Sequence, residues 1–98
     1  KYTNSVYTIL RDGYSNENKR YGVYVGQTSK TIEERFNEHK SGIRSGRGLE
    51  KNAIQILRSI WTHSNIKGSK RLYYETKLNL ALTKVVPKVT GDINIDLL

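Results

Sequence analysis

Two short runs of β-branched and aromatic residues, separated by a polar stretch, constrain this chain more than any other feature. Ser5 to Leu10 reads S-V-Y-T-I-L and Tyr21 to Gly26 reads Y-G-V-Y-V-G. Both have the composition and alternation of strands. Between them, Arg11 to Arg20 is polar and carries Gly13, Asn16 and Asn18, which suit the backbone angles of turns. The pattern predicts an antiparallel hairpin with a long tip. Such a hairpin can bring Tyr7 and Tyr24 to the same face.

A helix is predicted next. Thr31 and Glu34 have the spacing of a capping box, in which each side chain satisfies the other's orphan amide. Apolar residues then fall at Ile32, Phe36 and Ile43, and Gly42 is a natural stop. On a 3.6-residue period Ile32 and Phe36 define the core stripe, His39 falls inside it and Arg35 on its edge. Glu33, Glu34, Asn37 and Glu38 form the solvated face. Arg35 and His39 are therefore one turn apart and lean inward. A second helix is expected to carry Leu49, Ala53, Ile56, Leu57, Ile60 and Trp61 on one face. His63 to Gly68 reads as a loop. A third helix, with Ser69 as its cap, is expected to run to about Lys84, with Tyr74, Leu78, Ala81 and Val85 as its stripe and Glu75 one position off it. Pro87 ends the helical pattern, and Val89 to Leu98 reads as extended or irregular.

Ninety-eight residues suffice for one domain with one modest core, here taken as 1–98 and open to being a piece of something longer, since the first residue is Lys1. There are no cysteines, which removes disulfides and thiolate metal sites and suits an intracellular setting, cytoplasm or nucleoid or nucleus. No apolar run approaches the roughly 18 residues of a membrane span. The net charge is +8, and it is uneven. Lys40, Arg44, Arg47, Lys51, Arg58, Lys67, Lys70 and Arg71 stand against Glu50 alone, so this stretch carries +7. That asymmetry is the footprint of a polyanion binder. Arg44 and Arg47 in the Gly/Ser-rich loop, with Lys51 just after it, are the candidate phosphate contacts.

Hydrolysis of a phosphodiester needs a proton acceptor for water, a cation for the charge developing at phosphorus, and a carboxylate for a divalent metal. Tyr7, Tyr24, Arg35, His39 and Glu75 could supply every role. The nine acids are otherwise scattered, which fits one hard, mostly hydrated ion, magnesium or manganese, better than a two-metal cluster. Each residue alone also has an ordinary reading: tyrosines packed in a sheet, a snorkelling arginine, a core histidine, an exposed helix carboxylate, and Gly26 as a mere strand exit. Tyr14, Tyr21 and Tyr73 read as further packing aromatics.

In order and spacing the chain resembles the GIY-YIG nuclease superfamily. The matching segments are S-V-Y at Ser5 to Tyr7, Y-V-G at Tyr24 to Gly26, Gln27 and Thr28, then R-x-x-x-H from Arg35 to His39, and Glu75 on a later helix. Ser5 stands where members usually have Gly, and Asn94 is the candidate for an asparagine that often follows the proline. The resemblance covers about residues 5 to 90. It implies an α+β fold, a small three-stranded antiparallel sheet flanked by about three helices, with the third strand near Trp61 to Ile66 or in the tail. It implies a DNA endonuclease using one magnesium-type ion, with RNA still open as a substrate. Tyr7 would be the general base or water-positioner, Arg35 the transition-state cation and Glu75 the metal ligand, with Tyr24 and His39 assisting. One rival is a catalytically silent nucleic-acid-binding module on the same scaffold. Another is a basic structural domain of a larger assembly. Oligomeric state and sequence specificity are not readable from these residues.

Overall fold

A computed structural model of the chain describes residues 3–12, 21–43 and 49–98. Strand β1 (Asn4–Arg11) and strand β2 (Gly22–Thr28) pair antiparallel, with Tyr7 opposite Gly26 and Ile9 opposite Tyr24. The expected tip of this hairpin lies largely outside the described residues. Because side chains alternate along a strand, the ladder presents two faces, and both are covered. Val6, Val23 and Val25 join Ile66 and Leu82 on one. Tyr7 and Ile9 join Ile32, Leu49 and Ala53 on the other, with Tyr24 and Phe36 packed against them. Burial on both faces explains why these strands read as nearly continuous apolar runs. Thr8, fully buried, donates its hydroxyl to the Trp61 carbonyl at 2.7 Å, so no polar group is orphaned there.

Helix α1 (Ile32–Lys40) begins with the expected capping box at Thr31 and Glu34. Glu33 and Glu34 in its first turn complement the dipole. It buries Ile32 and His39, as its periodicity predicts, whereas Ile43 beyond its end is exposed.

The second predicted helix does not form. A single turn, α2 (Leu49–Asn52), leads into strand β3 (Ala53–Ile56). The spacing of Leu49, Ala53 and Ile56 suits a helix, but the open edge of β1 offers unpaired amides and carbonyls that a strand can satisfy. β3 takes the Ile9–Arg11 end of that edge, and Leu57 continues it by donating its amide to the Thr8 carbonyl at 2.9 Å. Trp61 has a φ of 54°, which no continuing helix would allow. Strand β4 (His63–Ile66) then pairs with the Asn4–Val6 end of β1. A short strand β5 (Val89–Thr90) runs parallel to β2. Among the described residues the sheet is thus mixed and five-stranded, not three-stranded and antiparallel; both places expected for a third strand hold one, and β3 adds another.

Helix α3 (Arg71–Leu82) follows a 3₁₀ turn over Gly68–Lys70, and Ser69 does not cap it. Its buried face is shifted from the expected stripe. Glu75, Thr76, Asn79 and Leu82 point inward, whereas Tyr74 and Val85 are exposed. The buried polar residues hold the tail: Thr76 Oγ1 accepts the Asn94 amide at 3.0 Å and Asn79 donates to the Thr90 carbonyl. Among the described residues no helix is long and apolar enough to cross a membrane.

The tail reaches β2 through Gly91, whose φ is +128° and whose missing Cβ leaves room for the Val25 carbonyl. Gly91→Ala combines a disfavoured φ with a backbone clash. It should lower stability by at least about 2 kcal/mol in urea unfolding; an unchanged midpoint would show that β5 does not need this approach.

Candidate active site

The sheet face that meets α1 carries a cluster of rings. Tyr7 is 1% exposed and its hydroxyl lies 2.8 Å from His39 Nε2. The Tyr7 and Tyr24 centroids are 6.4 Å apart, and the His39 ring meets Tyr24 edge-on at 5.3 Å. Register accounts for the pair of tyrosines: Tyr24 faces Ile9, so it sits diagonally from Tyr7 on the same face. Gly26, directly opposite Tyr7, is not a strand exit. A Cβ there would lie 2.5 Å from the Tyr7 hydroxyl oxygen and 2.8 Å from Tyr24. Glycine at this position makes the space in which the hydroxyl sits.

Arg35 and Glu75 reach the same cluster. The positive charge of the Arg35 guanidinium acts on the Tyr7 hydroxyl. The guanidinium donates to Glu38 at 3.0 Å and to the Ile43 carbonyl at 3.1 Å. Glu38 is shared with Lys30, so acid and bases hold one another in place along this edge of α1. A cleft of about 300 Å³ opens here, between the end of β2, Arg35 and Arg71. Glu75 approaches from α3. It is 3% exposed, and its Oε1 has no hydrogen-bond partner among the described residues.

The ionisation of these groups follows from burial. The Tyr7 hydroxyl is pushed well above the ordinary tyrosine value, mainly by desolvation, then by Tyr24 and Glu75; Arg35 opposes but does not win. Without a bound ion, Tyr7 therefore stays protonated at neutral pH. Tyr24 is raised by burial first and Glu75 second. His39 is lowered to about 4 by burial and then by Arg35, so it is neutral at pH 7 and a weaker base than an ordinary imidazole. Glu75 is raised to about 8 by burial and then by Asp92, with Arg71 pulling the other way.

All five residues singled out in the sequence thus share one neighbourhood, though they come from two strands and two helices. The other candidates do not join them. Lys51 is exposed on α2. Arg44 and Arg47 lie outside the described residues. Asn94 turns its Oδ1 to the Asp96 amide at 3.1 Å and caps the last 3₁₀ turn. Two residues of the site were not foreseen: Asp92, which acts on Glu75 from the tail, and Arg71, one turn before Glu75 on α3. The four-residue step from Arg71 to Glu75 is a signal that could have found the arginine.

A family model described as the GIY-YIG catalytic domain matches residues 4–84, and the chain belongs to this family. Nucleases of the family act on DNA and generally use a divalent metal ion. No curated protein matches the chain, and no solved structure does.

A buried acid whose folded value lies above its unfolded one makes the native state the stronger proton binder. Its contribution is favourable below about 4.5 and is lost as pH rises toward 8. Glu75→Gln keeps the neutral shape at every pH. It should flatten this loss and raise stability at pH 7 by about 3 kcal/mol, at about 1.4 kcal/mol for each pH unit. Urea unfolding across pH checks it, and parallel pH profiles for both proteins would refute the buried, unpaired state of Glu75.

Proposed function

We propose that this domain is a metal-dependent endonuclease that hydrolyses DNA phosphodiesters with one magnesium-type ion. The observation that carries the reading is Glu75: a carboxylate oxygen buried without a partner among the described residues, whose charge is felt by the hydroxyls of Tyr7 and Tyr24. A buried acceptor left empty costs stability. A cation is the partner that would both satisfy it and favour its ionised form. Among the described residues no three His, Cys, Asp or Glu side chains gather around one point. Glu75 would therefore hold an ion that keeps most of its water, as magnesium does. Such an ion supplies Lewis-acid neutralisation of the phosphate and of the leaving oxygen.

The chain's own residues supply the rest. Tyr7 is protonated, so it acts as a relay and not as a tyrosinate. As the water oxygen bonds to phosphorus, its proton would pass to the Tyr7 oxygen while the tyrosine's own proton crosses the hydrogen bond to His39 Nε2, which lies 2.8 Å from the hydroxyl oxygen. The bond from phosphorus to the leaving oxygen breaks on the far side. Arg35 would neutralise the negative charge that gathers on the phosphoryl oxygens, and preorganised charge of this kind contributes most where water is excluded. Tyr24 packs against both Tyr7 and His39 and fixes the angle between them.

On supercoiled plasmid, cutting should need magnesium and stop with chelator. Arg35→Ala should lower the rate about 10²–10³-fold, and Glu75→Ala should lower it at least as much, with circular dichroism unchanged. Either variant cutting at the native rate would remove that residue from the site. His39→Ala should cost about 10²–10⁴-fold; full activity without it would end the relay.

A further inference from the structure

A second basic feature lies elsewhere on the fold. β4 and α3 border a groove of about 760 Å³ that shares no lining residue with the cleft at Arg35. Its floor is apolar, made by Ile66, Leu78 and Ala81, and its rim carries Lys67, Lys70 and Lys77 beside Tyr74. Among the described residues no carboxylate lines it. Glu75, the one acid between Gly68 and Leu82, is turned into the core.

Two of the lysines, Lys70 and Lys77, are held by a ring, and neither makes an ion pair among the described residues. The Lys70 and Lys77 ammonium groups lie 5.8 and 5.4 Å from the centre of the Tyr73 ring. A cation over an aromatic face is ordered by the ring quadrupole and keeps its full charge. Tyr73 in turn meets Tyr74 edge-on, with centroids 5.3 Å apart. Tyr74 is left 44% exposed beside the groove. Positive charge along a rim, an apolar floor and an exposed ring form a combination that suits neither a duplex nor an acidic peptide best. A duplex hides its base faces, and an acidic peptide has no planar group for the ring. An unpaired nucleic-acid strand offers both phosphates and bases.

We infer that the β4–α3 groove binds an unpaired nucleic-acid strand, with Lys67, Lys70 and Lys77 on its phosphates and Tyr74 stacked on a base. This deepens the nuclease reading by giving the domain a place for strand flanking the cut, and it rests on nucleic acid being the substrate.

The test is fluorescence anisotropy of the full chain with a labelled oligothymidylate, in chelator so that nothing is cut. Replacing Lys67, Lys70 and Lys77 together by Ala should weaken binding at least about tenfold. It should also reduce the slope of log affinity against log salt by about 2, at about 0.7 for each phosphate no longer neutralised. Tyr74→Ala should weaken binding about tenfold with the slope unchanged, and Tyr74→Phe should bind like the native chain. Thermal unfolding of each variant, all at surface positions, separates weakened binding from unfolding. An unchanged slope in the triple variant, equal weakening in Tyr74→Phe and Tyr74→Ala, or tighter binding of a duplex or of polyglutamate through these residues would overturn the assignment. Plasmid cutting is scored beside it. A native chain that binds the oligonucleotide through this groove but never cuts refutes the nuclease reading alone. A chain that cuts while the groove variants bind normally refutes the groove alone.

Discussion

The pairing of β1 on both of its edges organises the rest of this molecule. One edge is filled by β2, and the other is divided between β3 and β4. A strand so enclosed has no freedom of register, because a slip of one residue would exchange its two faces. Each face serves a different purpose. One joins Val6 to the apolar core under α3, and the other delivers Tyr7 to His39. The rigidity of a small sheet is thereby turned into a fixed position for one hydroxyl oxygen.

Polar groups inside this fold fall into two kinds. Thr8 and Thr76 are buried and satisfied, each by a backbone group of a distant segment, and they staple the chain. Glu75 is buried and unsatisfied, and His39 is buried and stripped of its ordinary basicity. Groups of the second kind weaken a core of this size, and they crowd into one place. Concentrated strain of that sort marks sites where stability has been exchanged for chemistry.

Much of this is legible in the residues. The hairpin, the capping box on α1 and the inward lean of Arg35 and His39 follow from local rules, since each depends on neighbours within a turn or across one ladder. β3 is not legible, because Leu49, Ala53 and Ile56 satisfy a helical period and only the open edge of β1, remote in sequence, decides otherwise. The face of α3 differs by one position from its periodicity for a related reason. Tyr74 is more apolar than Thr76 or Asn79, yet these polar residues go inward because the tail supplies their partners. Arg71 and Asp92 are hidden in the sequence because a lone charge has no meaning until its neighbour is known. Family order and spacing carry the five candidate residues together, where no one of them would be chosen alone.

The space above Gly26 has a consequence for how such a chain can change. The tyrosine oxygen on the first strand occupies the volume that any β-carbon on the second would need. The two positions, nineteen apart in the chain, are therefore a lock and its clearance. Any lineage that filled the clearance would first have to retract the bolt, so the small letter in one motif is dictated by the large letter in the other.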